Sequence, residues 1–534
     1  MNSFVGKMYS LAGILMLPFA ICQGVRDKPN IIIVQADDLH FLEYWEGTHV
    51  HFDNSQRVYL PKASSIPNIE YLRRNGLQMK QAHTASPMCG TSRYSTITGR
   101  YPSRSAWGRW WDFDNDVREV TIPAVKLADT AGTGVPRGRD CTRNNIAQVF
   151  QGAGYRTGMV GKWHLGEWTN DLGYRQLQES VRNCGFDVSE AVYPHNMAGD
   201  WVRRYGYEIS HNMEHVAAEA IDFIQGSVRR DENFFLYLNP TVPHGSNDVS
   251  DTLRYGDCRQ SVGGWIQTPD IPRGKYSQTI RGDCGSYRQT VLTRATSWSD
   301  KELGTIWLDD AMGWIIKELE YHGILNNTLI LFQQDQGQEG KGTLYEQGTH
   351  IAQFVHYPDK YLPGSTFDGL VSTIDIGPTV LDIAGINPTY HMDGKSWATA
   401  VASNHQPTME SWRNRCIFFE LQHDRAVQCG CDIYMRLSTT RESWTRSLHL
   451  LQNRLDWSSF PEPNWGRNQL YNMCHNGDFI YSPHAPNPQR NGRRLLNSNK
   501  DKVDQMSALV DCHLGKTHPQ RVPDYDTECS LETV

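Results

Sequence analysis

Asp37 and Asp38 stand side by side at the end of an apolar run that begins at Pro29. Adjacent carboxylates at the end of a buried strand repel each other and are costly to desolvate unless a cation neutralises them. A second apolar run, residues 328–333, leads in the same way to Asp335 and Gln336, adding a third carboxylate and an amide oxygen. Alone, the Asp37-Asp38 pair reads equally well as a turn or a helix cap. Placed alike with Asp335-Gln336, it reads as a metal site, and oxygen ligands select a hard ion, Ca²⁺ or Mg²⁺, over zinc. Other residues with chemical potential are scattered: Cys89 and Arg93 in Cys89-Gly90-Thr91-Ser92-Arg93, Lys162 and His164 flanking Trp163, His244 after Pro243, and Lys341 in a Gly-rich stretch. Singly, each has a plainer reading: a surface charge, a satisfied core histidine, a buried thiol.

The elements that must position these residues are those of an α/β domain, because short apolar runs alternate with helical patterns through the first two thirds of the chain. Residues 31–35, 234–239 and 328–333 read as central strands, and each is followed by polar, potentially reactive residues. In open α/β sheets ligands collect at the carboxyl ends of the strands, so Asp37-Asp38, His244 and Asp335 are expected on one rim. Apolar positions recurring every three or four residues predict helices over 67–75, 144–152, 213–225, 303–321 and 374–384. Between 245 and 299 the chain is rich in Gly, Asp, Arg and Ser and reads as an irregular insertion near the site mouth. After about residue 400 the pattern changes: 416–420 and 433–437 read as antiparallel strands and 503–510 as a late helix, a smaller C-terminal α+β subdomain spanning 401–534.

With 534 residues, 39% hydrophobic and 21% charged, the chain can bury a large core and exceeds one minimal domain. A net charge of -7 with no long run of one sign gives no electrostatic case for nucleic acid or an acidic membrane surface. Lys7 followed by an apolar run over 8–21 fits a signal peptide, residues 1–24, and is short of the roughly 20 residues that span a bilayer. Of the twelve cysteines, setting aside Cys22 and Cys89 leaves Cys141, Cys184, Cys258, Cys284, Cys416, Cys429, Cys431, Cys474, Cys512 and Cys529, an even number consistent with disulfides in an oxidising compartment. Asn326-Asn327-Thr328 is an N-glycosylation sequon, in keeping with a secreted or lysosome-like glycoprotein.

Cys89 to Arg93, followed by Thr98-Gly99-Arg100, resembles the sulfatase signature C-x-P-S-R-x-x-x-x-T-G-R. Further blocks follow in the family's order: Pro29 to Val34 leading to Asp37-Asp38; Ile66-Pro67-Asn68-Ile69; Gly161-Lys162-Trp163-His164-Leu165-Gly166; Phe234-Phe235-Leu236-Tyr237 with Pro243-His244; and Gly340-Lys341-Gly342-Thr343-Leu344-Tyr345-Glu346. Ile374-Asp375, Leu381 to Gly385 and Asp393-Gly394-Lys395-Ser396 are similar to its closing run, so the resemblance covers residues 29 to about 400.

The resemblance implies an alkaline phosphatase-like α/β fold with a large, mostly parallel central sheet in residues 25–400. It also implies an arylsulfatase-like enzyme that cleaves a sulfate ester to an alcohol or phenol plus sulfate. In such enzymes the cysteine, here Cys89, is converted by a formylglycine-generating enzyme, and one Ca²⁺ is held by Asp37, Asp38, the modified Cys89, Asp335 and Gln336. Arg93 and Lys162 would steady the hydrated formylglycine, His244 and Lys341 would contact the sulfate and assist the departing alcohol, and His164 would aid release of sulfate. A site that handles migrating negative charge needs such fixed cations and donors. Three departures stand out: Thr91 replaces the signature proline, Gln336 the usual Asn or His, and Gln347 and Thr349-His350 the usual Gly and Arg. Rival readings are an anion-binding protein in which Cys89 stays a thiol, and a phosphodiesterase or phosphonate hydrolase of the same superfamily.

Overall fold

The computed structural model describes residues 28–40, 50–53, 56–59, 63–105, 141, 144–166, 174–194, 211–244, 248–262, 264–265, 279–280, 282–338, 340–402, 406–421, 424–436, 468–475, 478–479, 499–517 and 529–531. The expected signal peptide lies outside these residues, as do 245–247 and 266–278 of the expected insertion.

The apolar run after Pro29 forms β1 (Asn30–Ala36), with every residue buried. Its alternate side chains feed two separate cores: Ile32, Val34 and Ala36 enter one, Ile31 and Ile33 the other. A strand covered on both faces must be apolar throughout, which is why this run lacks alternation. Seven further strands complete the main sheet: β2 (Leu77–His83), β3 (Arg156–Lys162), β4 (Val188–Tyr193), β5 (Phe234–Asn239), β6 (Thr328–Gln334), β7 (Gln353–His356) and β8 (Thr366–Ser372), in the order β8-β2-β7-β6-β1-β5-β3-β4. The three strands expected at the centre are adjacent: Ile33 sits opposite Leu331 of β6 and Tyr237 of β5. All pairings are parallel except the two made by β7.

Helices α1 (Pro67–Arg74), α5 (Met213–Arg229) and α7 (Asp300–Tyr321) cover the first face. The second face is covered by α2 (Cys89–Thr98), α3 (Ile146–Gly152), α4 (Tyr174–Arg182) and α8 (Ile376–Ile383). Within 245–299 the described residues are more regular than the composition suggests, because Cys284–Arg294 forms helix α6. Its buried positions are Cys284, Arg288, Val291 and Leu292, so a charged residue occupies a core position and masks the helical period. Arg288 is satisfied there by Glu214 and by the carbonyls of Thr252, Cys258 and Gln260.

The C-terminal part forms an antiparallel sheet, β9 (Cys416–Leu421), β10 (Asp424–Cys429), β11 (Asp432–Arg436) and β12 (Asn468–Asn472), paired in that order. Helix α9 (Lys500–Thr517) packs Met506, Leu509 and Val510 against it. Disulfides join Cys141–Cys184, Cys258–Cys284, Cys416–Cys429, Cys431–Cys474 and Cys512–Cys529. Cys89 is the one cysteine outside a disulfide among the described residues.

Candidate active site

The rim formed by the carboxyl ends of β1, β3, β5 and β6 gathers residues more than 300 positions apart. Asp37 and Asp38 leave β1, and Asp38 turns into the left-handed region at φ 55°. Asp335 follows β6, and its Oδ1 accepts the backbone N–H of Asp38 and of Gln336, each at 3.1 Å, which locks the two strand ends together. Lys162 ends β3 after Gly161, whose φ of 102° coincides with a shift in the β3-β4 register. A Cβ on Gly161 would lie 2.0 Å from the carbonyl oxygen of Asn239, so only glycine allows this bend. The bend turns Lys162 inward, where Nζ donates to Asp37 Oδ2 at 2.6 Å.

Cys89 is the first residue of α2, whose ten residues are all buried. Lys341 Nζ bridges the Cys89 thiol and the carboxylates, donating to Asp38 Oδ1 and lying 3.2 Å from Cys89 Sγ. Glycines make its loop compact: a Cβ on Gly348 would meet the Gly340 carbonyl oxygen at 2.3 Å. His244 Nε2 stands 3.5 Å from Asp38 Oδ2. The ligand atoms of Asp37, Asp38, Cys89 and His244 all lie within 4.8 Å of one another. Arg93 Nη2 faces Asp37 Oδ1 at 3.5 Å and Asp335 Oδ2 at 3.6 Å, while its Nη1 donates to the Lys162 carbonyl. His164 sits one step away, against Gly90, where an added Cβ would be 4.0 Å from its Nδ1. The structure therefore brings together the expected set of Asp37, Asp38, Cys89, Arg93, Lys162, His244, Asp335, Gln336 and Lys341, with His164 at its edge.

Three buried oxygens in this cluster, Asp37 Oδ1, Asp335 Oδ2 and Gln336 Oε1, accept no hydrogen bond. Buried polar atoms are rarely left so, and carboxylate and amide oxygens are the ligands a hard cation takes. Gln336 reaches the cluster, its Nε2 donating to Asp38 Oδ1, so the longer side chain still brings an amide to the carboxylates.

The electrostatics are uneven. Burial opposes ionisation of Asp37, yet Lys162, His244 and Arg93 hold its carboxyl well below the usual range. Burial likewise works against ionised Asp38, and Lys341, His244 and Lys301 overcome it. Asp335 goes the other way, pushed well up by burial and by neighbouring Asp37. Burial also raises the Cys89 thiol far above its ordinary value, despite Lys162 and Lys341, and drives His244 down to about 3.

Some supporting residues carried no sequence signal. Lys301, at the start of α7, donates from Nζ to the Asp38 carbonyl at 3.3 Å. Asn239 Nδ2 donates to the Lys162 carbonyl at 2.9 Å, and its position at the end of β5 could have drawn attention to it. Tyr237 and Gln35 form a buried relay to Ser92 of α2 through bonds of 2.6 and 3.0 Å. Thr91, completely buried, turns its Oγ1 back to Ser86 Oγ at 2.7 Å and Met88 O at 3.0 Å, closing the turn that starts the helix.

The fold is that of a known class. Residues 29–386 match the family model described as Sulfatase, and the chain belongs to that family. It is 25% identical over 415 residues to an uncharacterized sulfatase of Escherichia coli (strain K12), covering 68% of this chain and 64% of the relative's length. It is 26% identical over 435 residues to an arylsulfatase of Clostridium perfringens, covering 72% of this chain and 80% of that one. Among solved structures, Ps i-CgsB in complex with k-i-k-neocarrahexaose shares the fold, with a TM-score of 0.59 and 19% identity over 94% of this chain and 95% of that chain.

Proposed function

We propose that this protein hydrolyses a sulfate ester to an alcohol or phenol and inorganic sulfate, with Cys89 as the formylglycine precursor and one divalent cation at the carboxylate cluster. The observation that carries the reading is Lys341 Nζ, which reaches both Asp38 and Cys89 Sγ and so places a fixed cation between the nucleophile position and the ion's ligands. The raised Cys89 thiol supports conversion as well, because a buried, protonated thiol is a poor nucleophile and would leave the surrounding cations without a reacting partner. Formylglycine would supply a hydrated aldehyde whose hydroxyl attacks sulfur, and Ca²⁺ or Mg²⁺ held by Asp37, Asp38, Asp335, Gln336 and the modified Cys89 would supply the positive charge that polarises the sulfate.

The chain's own residues divide the remaining work. Lys162 holds Asp37 ionised and in place, and Arg93, buried and ion-paired through Nη2 with Asp37 and Asp335, would steady the hydrated aldehyde beside them. Lys341, which reaches Cys89 Sγ, would deliver a proton to the departing ester oxygen, and His244, beside Asp38, would contact the sulfate. His164, beside Gly90, would take the proton that releases sulfate and restores the aldehyde.

The chemical class of the ester is a sulfated carbohydrate or a simple aryl sulfate. Five disulfides support the secretory pathway as its location, with residues 1–24 as signal peptide, 25–400 as catalytic domain and 401–534 as C-terminal subdomain. The formylglycine-generating enzyme is its partner during maturation. Mass spectrometry of the tryptic peptide containing Cys89, taken from the native host, tests the reading. It is expected to show the aldehyde or its hydrate, with sulfate release from an aryl sulfate. Thiol alone, with no sulfate released, would favour the anion-binding alternative.

A further inference from the structure

Three buried glutamines stand abreast in the main sheet: Gln35 of β1 pairs in register with Gln333 of β6, and Gln333 with Gln353 of β7. They are linked to the helix that carries Cys89 by two chains of hydrogen bonds. In the first, Gln353 Nε2 donates to Gln333 Oε1, and Gln333 Nε2 donates to Thr96 Oγ1 of α2, both at 3.0 Å. In the second, the Tyr237 hydroxyl donates to Gln35 Oε1 at 2.6 Å, and Gln35 Nε2 donates to Ser92 Oγ of α2 at 3.0 Å. The two chains therefore end on hydroxyls one helical turn apart.

Packing alone gives no reason for these amides. Burying an amide costs free energy that its hydrogen bonds do little more than offset, whereas an aliphatic side chain gains from the same burial. What the bonds add is direction, which apolar contact lacks. Helix α2 needs it, because its large apolar side chains are Tyr94 and Ile97 alone. Cys89, Ser92, Arg93 and Thr96 recur at i, i+3, i+4 and i+7, so the two anchored hydroxyls share a stripe with Cys89 and Arg93. Gln334, the next residue of β6, serves the other half of the site: its Nε2 donates to the carbonyl of Leu39, directly after Asp38, and its Oε1 accepts the Ala352 N–H. The end of β6 is thus a common reference for the helix with Cys89 and the turn with Asp37 and Asp38.

We propose that Gln333 and Gln35 are positioning residues which, through Thr96 and Ser92, set the rotation and depth of α2 and so hold the Cys89 position against the carboxylate rim. Their effect on turnover rests on the sulfatase reading above, while the placement of Cys89 does not. A nucleophile moved by about 1 Å loses about 100-fold in rate, so releasing one of the two anchors should cost about tenfold.

Two changes keep side-chain size while removing the bond, Thr96→Val and Gln333→Met, and Thr96→Ser keeps the hydroxyl. In converted enzyme, with the converted fraction of Cys89 counted by mass spectrometry, Thr96→Val and Gln333→Met are each expected to lower kcat per converted molecule for an aryl sulfate about tenfold, with KM within about twofold of the parent. The double variant is expected to be no slower than either single one, since both remove the same bond. In protein from a host that leaves Cys89 a thiol, its alkylation by iodoacetamide at 25 °C, mapped by mass spectrometry, is expected to quicken about tenfold in both variants, and Thr96→Ser is expected to match the parent in both assays. If Gln333→Met does not fold, Thr96→Val against Thr96→Ser decides. Alkylation or kcat within about twofold of the parent in Thr96→Val, or the same loss in Thr96→Ser, overturns the proposal. Absence of sulfate release from every ester by the parent overturns the sulfatase reading instead, and the alkylation rates then decide the placement of Cys89 alone.

Discussion

Glu420 to Gln should loosen the segment that leaves the helix carrying Cys89. The Glu420 backbone N–H donates to the Ala85 carbonyl at 2.9 Å, four residues before Cys89, while its carboxylate accepts the Ser103 N–H at 2.8 Å and the Ser103 hydroxyl at 2.6 Å, just beyond the helix. His513 of α9 lies 2.8 Å from Oε1, and Arg425 Nε 3.8 Å. Burial works against the charge, but Arg425, His513 and Ser103 outweigh it and lower the Glu420 pKa from 4.5 to about 2. That difference corresponds to about 3 kcal/mol favouring the folded, ionised form. The contribution is present in full above the unfolded value of 4.5 and is lost as pH falls from there through about 2. His513, lowered by burial, adds acid sensitivity of the same sign, since the unfolded imidazole takes up a proton first.

In Glu420→Gln the shape is kept and the charge removed, so hydrogen exchange at the Ser103 amide at pH 7 should quicken about 100-fold, the equivalent of about 3 kcal/mol. Protection in the parent, corrected for intrinsic rates, should fall more steeply between pH 4.5 and 2 than in the variant, which lacks the Glu420 contribution. Because the helix carries Cys89, kcat should drop while KM changes little. Exchange within twofold of the parent at pH 7, together with unchanged kcat, would refute the argument that this buried carboxylate holds the helix.

Two other outcomes follow from the site. Added Ca²⁺ should raise the thermal midpoint, with about 2.7 kcal/mol of stabilisation at 100 times the dissociation constant, and Asp335→Asn should abolish that shift; a variant that responds to Ca²⁺ like the parent would remove Asp335 from the ligand set. Thr91→Pro should fold, since the N–H groups of a helix's first turn have no intrahelical acceptor and proline suits that turn, and mass spectrometry should find a larger converted fraction of Cys89 than in the parent. Equal or lower conversion would show that the Thr91 hydroxyl, bonded to Ser86 and Met88, already presents the segment well.

What the sequence disclosed follows from how each residue is paid attention by its neighbours along the chain. β1, β5 and β6 are continuous apolar runs because both faces are covered, and the reactive residues directly after them could be placed on one rim without knowing any contact. Residues whose partners lie far away gave no such sign. Arg288 looks like a surface charge until Glu214, 74 positions earlier, meets it at 3.0 Å, and Glu420 looks solvated until His513, 93 positions later, closes on it. Lys301 belongs to no periodic pattern, so its place beside Asp38 depends on α7 packing beside Pro243.

The charge count of the site argues for what it is built to accommodate. Asp37, Asp38 and Asp335 contribute three carboxylates, and Lys162, Lys341 and Arg93 three cations set among them. His244, driven down to about 3, adds no charge at neutral pH. With all three carboxylates ionised these six side chains balance, Lys301 beside Asp38 adds one positive charge, and a divalent ion would bring the excess to three. A sulfate monoester brings one negative charge and departing sulfate two, so electrostatic complementarity would grow as the ester bond breaks, which is the condition for stabilising a transition state over its ground state. Asp335, whose carboxyl is pushed up by burial and by Asp37, is the member that needs the cation most. Loss of the ion should therefore be felt there first, as uptake of a proton at Asp335, while Asp37 and Asp38 stay ionised beside Lys162 and Lys341.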